Sequence, residues 1–118
     1  MRFAVLALLG LVSITQAFPA DEKVDSIPDM GTFDKYGVYS GYIMIPDTTK
    51  NIHYMLVQSQ KETRDTDPLI IWFNGGPGCS SILAFSTEHG PYNLPDGETK
   101  FVENMHSWNK EANILYVE

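Results

Sequence analysis

Pro68 to Ser81 reads P-L-I-I-W-F-N-G-G-P-G-C-S-S, an apolar run that passes directly into glycines, a proline, the only cysteine and two serines. Leu69 to Phe73 shows no alternation of apolar and polar residues, the pattern of a strand covered on both faces. Such a strand needs a layer on either side, and helices on a mostly parallel sheet are the usual cover. The exit carries the rest of the reading. Without Cβ atoms the chain can turn sharply as it leaves the strand and bring a backbone N–H close to a ligand.

Working outward, Val38 to Ile45 and Ile52 to Val57 are rich in β-branched and aromatic residues. Pro46 to Asn51 between them is turn chemistry, so the three segments predict an antiparallel hairpin. Lys61 to Asp67 is a charged connection. Downstream, Ile82 to His89 is a short helix candidate stopped by Gly90-Pro91, and Tyr92 to Phe101 reads as a loop. Asn113 to Val117, N-I-L-Y-V, is a second wholly apolar strand. Phe18 to Lys35 is polar, with Pro19, Pro28 and Gly31, and reads as a surface arm. The fold class expected is α/β. Because the chain stops one residue after a core strand and lacks the covering helices, the sequence is expected to be the front end of a larger domain.

Residues 1–17 carry a short basic start and an apolar run from Ala4 to Ile14, too short to span a bilayer. Thr15-Gln16-Ala17 follows with the small residues a signal peptidase reads, which predicts cleavage before Phe18 and entry into the secretory pathway. The net charge is −7, and losing Arg2 makes the mature chain more acidic still. No basic run is present to neutralise phosphates, so nucleic acid is not an expected partner. A membrane is not expected after cleavage either. A single cysteine in a secreted chain points to an intermolecular disulfide, a reactive thiol, or a partner outside these 118 residues.

Three kinds of chemistry compete for the glycine-rich exit. A phosphate cradle needs G-x-x-x-x-G-K-[ST] or G-x-G-x-x-G, and neither spacing occurs. A nucleophile elbow needs G-x-S-x-G, but Gly78-Cys79-Ser80-Ser81 runs into Ile82. Ser80, Asp96 and His106 have the chain order of a hydrolase triad, yet the acid and the histidine precede the last strand instead of following later ones. In the third reading the glycines are themselves functional, one N–H forming half of an oxyanion hole whose other half follows the nucleophile. His53, His89 and His106 are read as exposed or hydrogen-bonded structural residues. No motif calls for a cofactor or a metal.

W-F-N-G-G-P-G-C-S-S, then Glu88 with Gly90-Pro91, then S-W-N-K-E-A-N-I-L-Y-V-E resemble the serine carboxypeptidases, the cathepsin A-like and yeast-vacuolar group, and Y-S-G-Y-I of the hairpin fits as well. The resemblance covers about Tyr36 to Glu118. It implies the N-terminal portion of an α/β-hydrolase fold, incomplete, with the early hairpin and the first core strands of the central sheet. By position it makes Gly76 the oxyanion-hole donor, and Trp72, Asn74, Gly75 and Glu88 the recognition site for a peptide substrate's free C-terminal carboxylate. A carboxyl such as Glu88 can bind a carboxylate only when one of the two carries a proton, which implies an acidic pH preference. Cys79 would pair with a cysteine far downstream. The family's G-E-S-Y-x-G segment, its aspartate and its histidine are absent, and its next residues after Glu118 would be S-P-x-G-V-G. The resemblance therefore implies a substrate-binding half-site in a secreted or lysosome-like hydrolase, inactive alone. A non-catalytic secreted module and an acyltransferase on the same scaffold fit the same residues.

Overall fold

The computed structural model describes residues 19–118; the segment read as a signal peptide, residues 1–17, lies outside the described residues. In chain order the elements are a 3-10 turn (Ala20–Glu22), β1 (Ser26–Ile27), β2 (Gly31–Thr32), β3 (Val38–Met44), β4 (Asn51–Val57), β5 (Leu69–Trp72), α1 (Ser81–Thr87), β6 (Tyr92–Asn93), β7 (Val102–Glu103), a second 3-10 turn (Trp108–Lys110) and β8 (Asn113–Val117).

The predicted hairpin forms, with Val38 opposite Val57 and Met44 opposite Asn51. Its turn closes locally. Asp47 adopts a positive φ of 60°, Thr48 Oγ1 donates to the Ile45 carbonyl at 2.9 Å and accepts from Lys50 N at 3.1 Å. Asp and Thr supply such side-chain-to-backbone bonds readily, which explains why a polar hexapeptide can reverse two apolar strands.

The four-stranded sheet has the order β3-β4-β8-β5. β8 lies antiparallel to β4 and parallel to β5, with Ile71 beside Leu115 and Trp72 beside Tyr116. The sheet is therefore mixed, and only the β5–β8 pair has the parallel direction expected from the sequence. A parallel pair needs a crossover, and the segment from Phe73 to Ala112, containing α1, supplies it. The α1 helix starts one residue earlier than predicted, because Ser80 Oγ accepts from Ile82 N at 3.2 Å as the N-cap. It ends at Thr87, two residues earlier than predicted. Gly90 lies so close to the helix that a Cβ there would stand 1.9 Å from the Phe85 carbonyl oxygen, so the chain has already left the helical path.

The core lies on one face of the sheet. Val38, Met55, Val57, Ile114 and Tyr116 from the strands meet Ala84 and Phe85 from α1. Phe85 and Tyr116, 1% and 0% exposed, each contribute about 2–3 kcal/mol by burial. Met30, Phe33 and Tyr36 complete this cluster. The segment read as a surface arm thus inserts two side chains into the core, and Val24 N bonds to the Val38 carbonyl at 2.8 Å. Its polar composition hid Met30 and Phe33, which have no periodic companions.

The two-sided burial expected for Leu69 to Phe73 does not occur. Leu69, Ile71 and Phe73 are 56%, 53% and 66% exposed, whereas Ile70 and Trp72 pack against the core. Among the described residues the core packs against one face of β5 only, and the N-terminal segment, whose Glu22 reaches Tyr54 on the other face, leaves Leu69 and Ile71 exposed, so an unbroken apolar run alternates in burial.

Candidate functional site

The exit of β5 is built by the side chains of Trp72, Asn74 and Ser81. Trp72 Nε1–H donates to Asn74 Oδ1 at 2.6 Å. This bond occupies the amide oxygen, so the Asn74 Nδ2 group is the end left to donate, and no described residue accepts from it. Asn74 N donates to Ser81 Oγ at 3.1 Å, and Ser81 Oγ–H donates in turn to the Val117 carbonyl at 2.5 Å. A buried serine thereby ties the loop, the start of α1 and the end of β8 at one point. Ser81 is structural, and Ser80 is the helix cap.

Gly75 and Gly76 follow, both exposed. Gly76 has φ +135°, and a Cβ there would lie 2.9 Å from Gly78 N and 3.1 Å from Cys79 N. A side chain would thus be strained by its backbone conformation and crowded by the loop. The Gly76 N–H finds no acceptor among the described residues. Gly78 also has a positive φ, +93°. The loop therefore presents backbone N–H groups at an open surface, the arrangement an oxyanion donor requires. Cys79 is exposed and unpaired among the described residues.

Glu88 caps the C-terminal end of α1 and is exposed. Its carbonyl accepts from Asn104 Nδ2 at 3.1 Å, and the Gly90 carbonyl accepts from the same amide at 2.9 Å. Trp108 N takes the carbonyl between them, that of His89, at 3.0 Å. The backbone carrying Glu88 is thus clamped by residues 104–108. No hydrogen bond joins the Glu88 carboxylate to Asn74; the link runs through His89, whose ring meets that of Trp72 edge-to-face, centroids 4.4 Å apart. His89 is 5% exposed and parallel to both Trp108 and Tyr116, at 4.2 and 5.6 Å, with Nδ1 3.1 Å from the Tyr116 hydroxyl. Burial holds the His89 imidazole below its ordinary value, the Glu88 charge opposing it. Burial, then the Glu88 charge, pushes the Tyr116 phenol upward. The folded environment therefore favours the neutral form of both groups.

Sequence reasoning missed Trp108 and Tyr116 as neighbours of the site. Trp108 stands in the S-W-N-K-E-A-N stretch, but no spacing rule connects it to Trp72. Elsewhere Ser40 Oγ and His53 Nε2 are 2.8 Å apart and His53 Nδ1 lies 3.5 Å from Glu118 Oε2, a row across β3, β4 and β8 that ties the end of β8 to the hairpin. Ser80, Asp96 and His106 are not joined by any hydrogen bond among the described residues, consistent with setting that triad aside.

A model of the serine carboxypeptidase family matches residues 28–118. The chain belongs to the serine carboxypeptidase family. The lysosomal protective protein of Mus musculus is 40% identical over 115 residues, covering 97% of this chain and 24% of that protein. The pheromone-processing carboxypeptidase of Yarrowia lipolytica is 36% identical over 119 residues, 98% of this chain and 19% of that protein. Among solved structures, a prohormone-processing carboxypeptidase from Saccharomyces cerevisiae superposes with a TM-score of 0.57 at 27% identity, over 70% of this chain and 19% of that one. The fold is accordingly the front part of an α/β-hydrolase sheet, and the chain spans at most about a quarter of the length of these curated relatives.

Proposed function

We infer that this chain supplies the oxyanion donor and the carboxylate-recognition half of a serine-type carboxypeptidase, which hydrolyses the C-terminal peptide bond of peptides. The supporting observation is the exit of β5, where the Asn74 amide has its oxygen occupied by Trp72 and the Gly76 N–H has no acceptor. An amide N–H₂ and backbone N–H groups suit a carboxylate and a developing oxyanion. In this reading a serine outside the 118 residues attacks the last peptide carbonyl, a histidine takes its proton, and an aspartate orients the histidine. Gly76 N–H then donates to the tetrahedral oxygen, while Asn74, Gly75, Trp72 and Glu88 hold the terminal carboxylate.

Glu88 sets the pH dependence. Two carboxyl groups can bind each other only through a shared proton, so recognition weakens as pH rises. Residues 18–35 act as an N-terminal arm and residues 36–118 as the front of the catalytic domain. The leader directs the chain to the secretory pathway, toward a secreted or lysosome-like site, and Cys79 takes a downstream partner.

The test is release of the C-terminal amino acid from a blocked dipeptide at about pH 5, in the range where carboxyl groups share protons. A longer product of the same gene is expected to release it and to be inactivated by a serine-directed phosphonate; the 118-residue chain is expected to be inert. Serine-dependent release by the short chain, or equal turnover of the dipeptide acid and its amide by the long one, overturns the reading. Glu88→Gln is expected to flatten the fall of substrate affinity with rising pH.

A further inference from the structure

His89 is more elaborately held than a space-filling core residue requires. Its ring is parallel to Trp108 at an interplanar angle of 16° and to Tyr116 at 13°, and Trp72 stands nearly perpendicular, at 74° to His89 and 88° to Trp108. Trp108 stacks on one face of His89, and Trp72, perpendicular to both and 4.4 Å from His89 and 5.6 Å from Trp108, stands beside that stack and meets the imidazole at its edge.

The proton's position follows from counting partners. If His89 Nδ1–H donated to the Tyr116 oxygen, the buried phenol hydrogen and Nε2 would both lack partners. If the Tyr116 O–H donates to Nδ1, only the Nε2–H is left over. Leaving fewer buried groups unpaired is the cheaper arrangement, so the tautomer carries its proton on Nε2. That nitrogen is buried without a hydrogen-bond partner among the described residues. A leucine or phenylalanine would fill the space with no such cost, and an orphaned polar atom in a core calls for an explanation.

We propose that His89 is a positioning residue for carboxylate recognition: its Nε2–H rests against the indole face of Trp72 and fixes the plane from which Trp72 Nε1–H holds Asn74 Oδ1. The chain of contacts runs from the Tyr116 hydroxyl through His89 and Trp72 to the Asn74 amide, and its outcome is that Asn74 Nδ2 faces outward. N–H-to-aromatic contacts are individually weak. Here the contact governs orientation: rotation of the Trp72 ring would carry Nε1 away from Oδ1 and free the amide to turn its oxygen toward the incoming carboxylate. Trp108 stacks on the imidazole and also holds the His89 carbonyl. The same clamped segment carries Glu88. The titratable groups facing His89 among the described residues are Tyr116, which remains protonated, and Glu88, whose charge acts on it from the adjacent position. The proposal rests on the carboxylate-binding reading of Asn74.

Two measurements on the full-length product test it. Nitrogen-15 correlation of the histidine side chains is expected to show His89 as the Nε2–H tautomer, with that proton shifted upfield by the indole ring. Binding of N-acetyl-L-leucine and of its amide, followed through tryptophan fluorescence at about pH 5, reads the preference for the free acid. Trp72 and Trp108 are the only tryptophans in these 118 residues. H89F keeps an aromatic ring and removes the edge donor, and it is expected to reduce the acid-over-amide preference by about tenfold, the worth of one hydrogen bond to a charged group. Should H89F fail to fold, Y116F removes only the hydroxyl that sets the tautomer and is expected to lower the same preference. An Nδ1–H tautomer, or a preference unchanged in the folded variant, overturns the proposal while the carboxylate reading stands. A wild-type protein that binds acid and amide equally overturns both.

Discussion

Single residues decide the chemistry of the β5 exit. Gly76 combines φ +135° with a Cβ position 2.9 Å from Gly78 N. On the oxyanion role proposed for it, Gly76→Ala is expected to displace its N–H and to lower kcat of the full-length product by about a hundredfold or more, the usual effect of losing one such donor. Stopped-assay kinetics on a blocked dipeptide checks this. Gly90 is tighter still, since an added Cβ would stand 1.9 Å from the Phe85 carbonyl oxygen. Gly90→Ala is expected to destabilise the fold by about 3 kcal/mol, at the upper end for overpacking, in urea denaturation. His89 gives a pH signature. Its buried ring stays neutral at pH values where the unfolded chain, with an ordinary imidazole near 6.5, takes up a proton. The unfolded state then binds more protons, so stability falls as pH drops below about 6.5 and levels off once the folded ring is protonated too. Denaturation midpoints measured from neutral to acid pH are expected to lose this slope in H89F. Sequence alone showed the glycine-rich exit, because a break in a strand is local, whereas Asn74 entered as a carboxylate-site candidate only through the family resemblance. It left His89 as a generic structural residue, because its stacking partners come from the 3-10 turn at Trp108–Lys110 and from β8.

Among elements, the junction of β5, α1 and β8 hangs on two adjacent serines with different work. Ser80 caps the helix, and Ser80→Ala is expected to cost about 1 kcal/mol. Ser81 holds Asn74 N and the Val117 carbonyl together. Ser81→Ala leaves two partly buried backbone groups unpaired, so it is expected to cost about 1–3 kcal/mol and to weaken the proposed carboxylate binding as well. Denaturation and acid-over-amide binding, measured on both variants, separate the two roles. The hairpin was legible because strand propensity and turn chemistry agree between Val38 and Val57. The helix terminus was not, since the close approach of Gly90 to Phe85 is a packing event that residue order does not display.

For the whole molecule, the open face of the sheet is the dominant feature. Leu69, Ile71 and Phe73 project from β5 and the exit that follows it, Ile71 beside Leu115, and β5 is an edge strand. Apolar faces and unpaired edges favour association. The 118-residue chain is expected to self-associate with rising concentration, and Ile71→Lys to shift it toward monomer, as light scattering after size exclusion would report. The sequence by itself determined the strands, the hairpin and the glycine-rich exit, because strand propensity, turn residues and the absence of Cβ atoms act within a few residues. It also carried the family, since W-F-N-G-G-P-G-C-S-S is a contiguous pattern. Only the tertiary structure decided which face of β5 is covered, that Met30 and Phe33 enter the core, and that Trp72, His89, Trp108 and Tyr116 meet beneath Asn74. Burial and stacking depend on what folds back from distant positions, and a linear pattern holds no record of that.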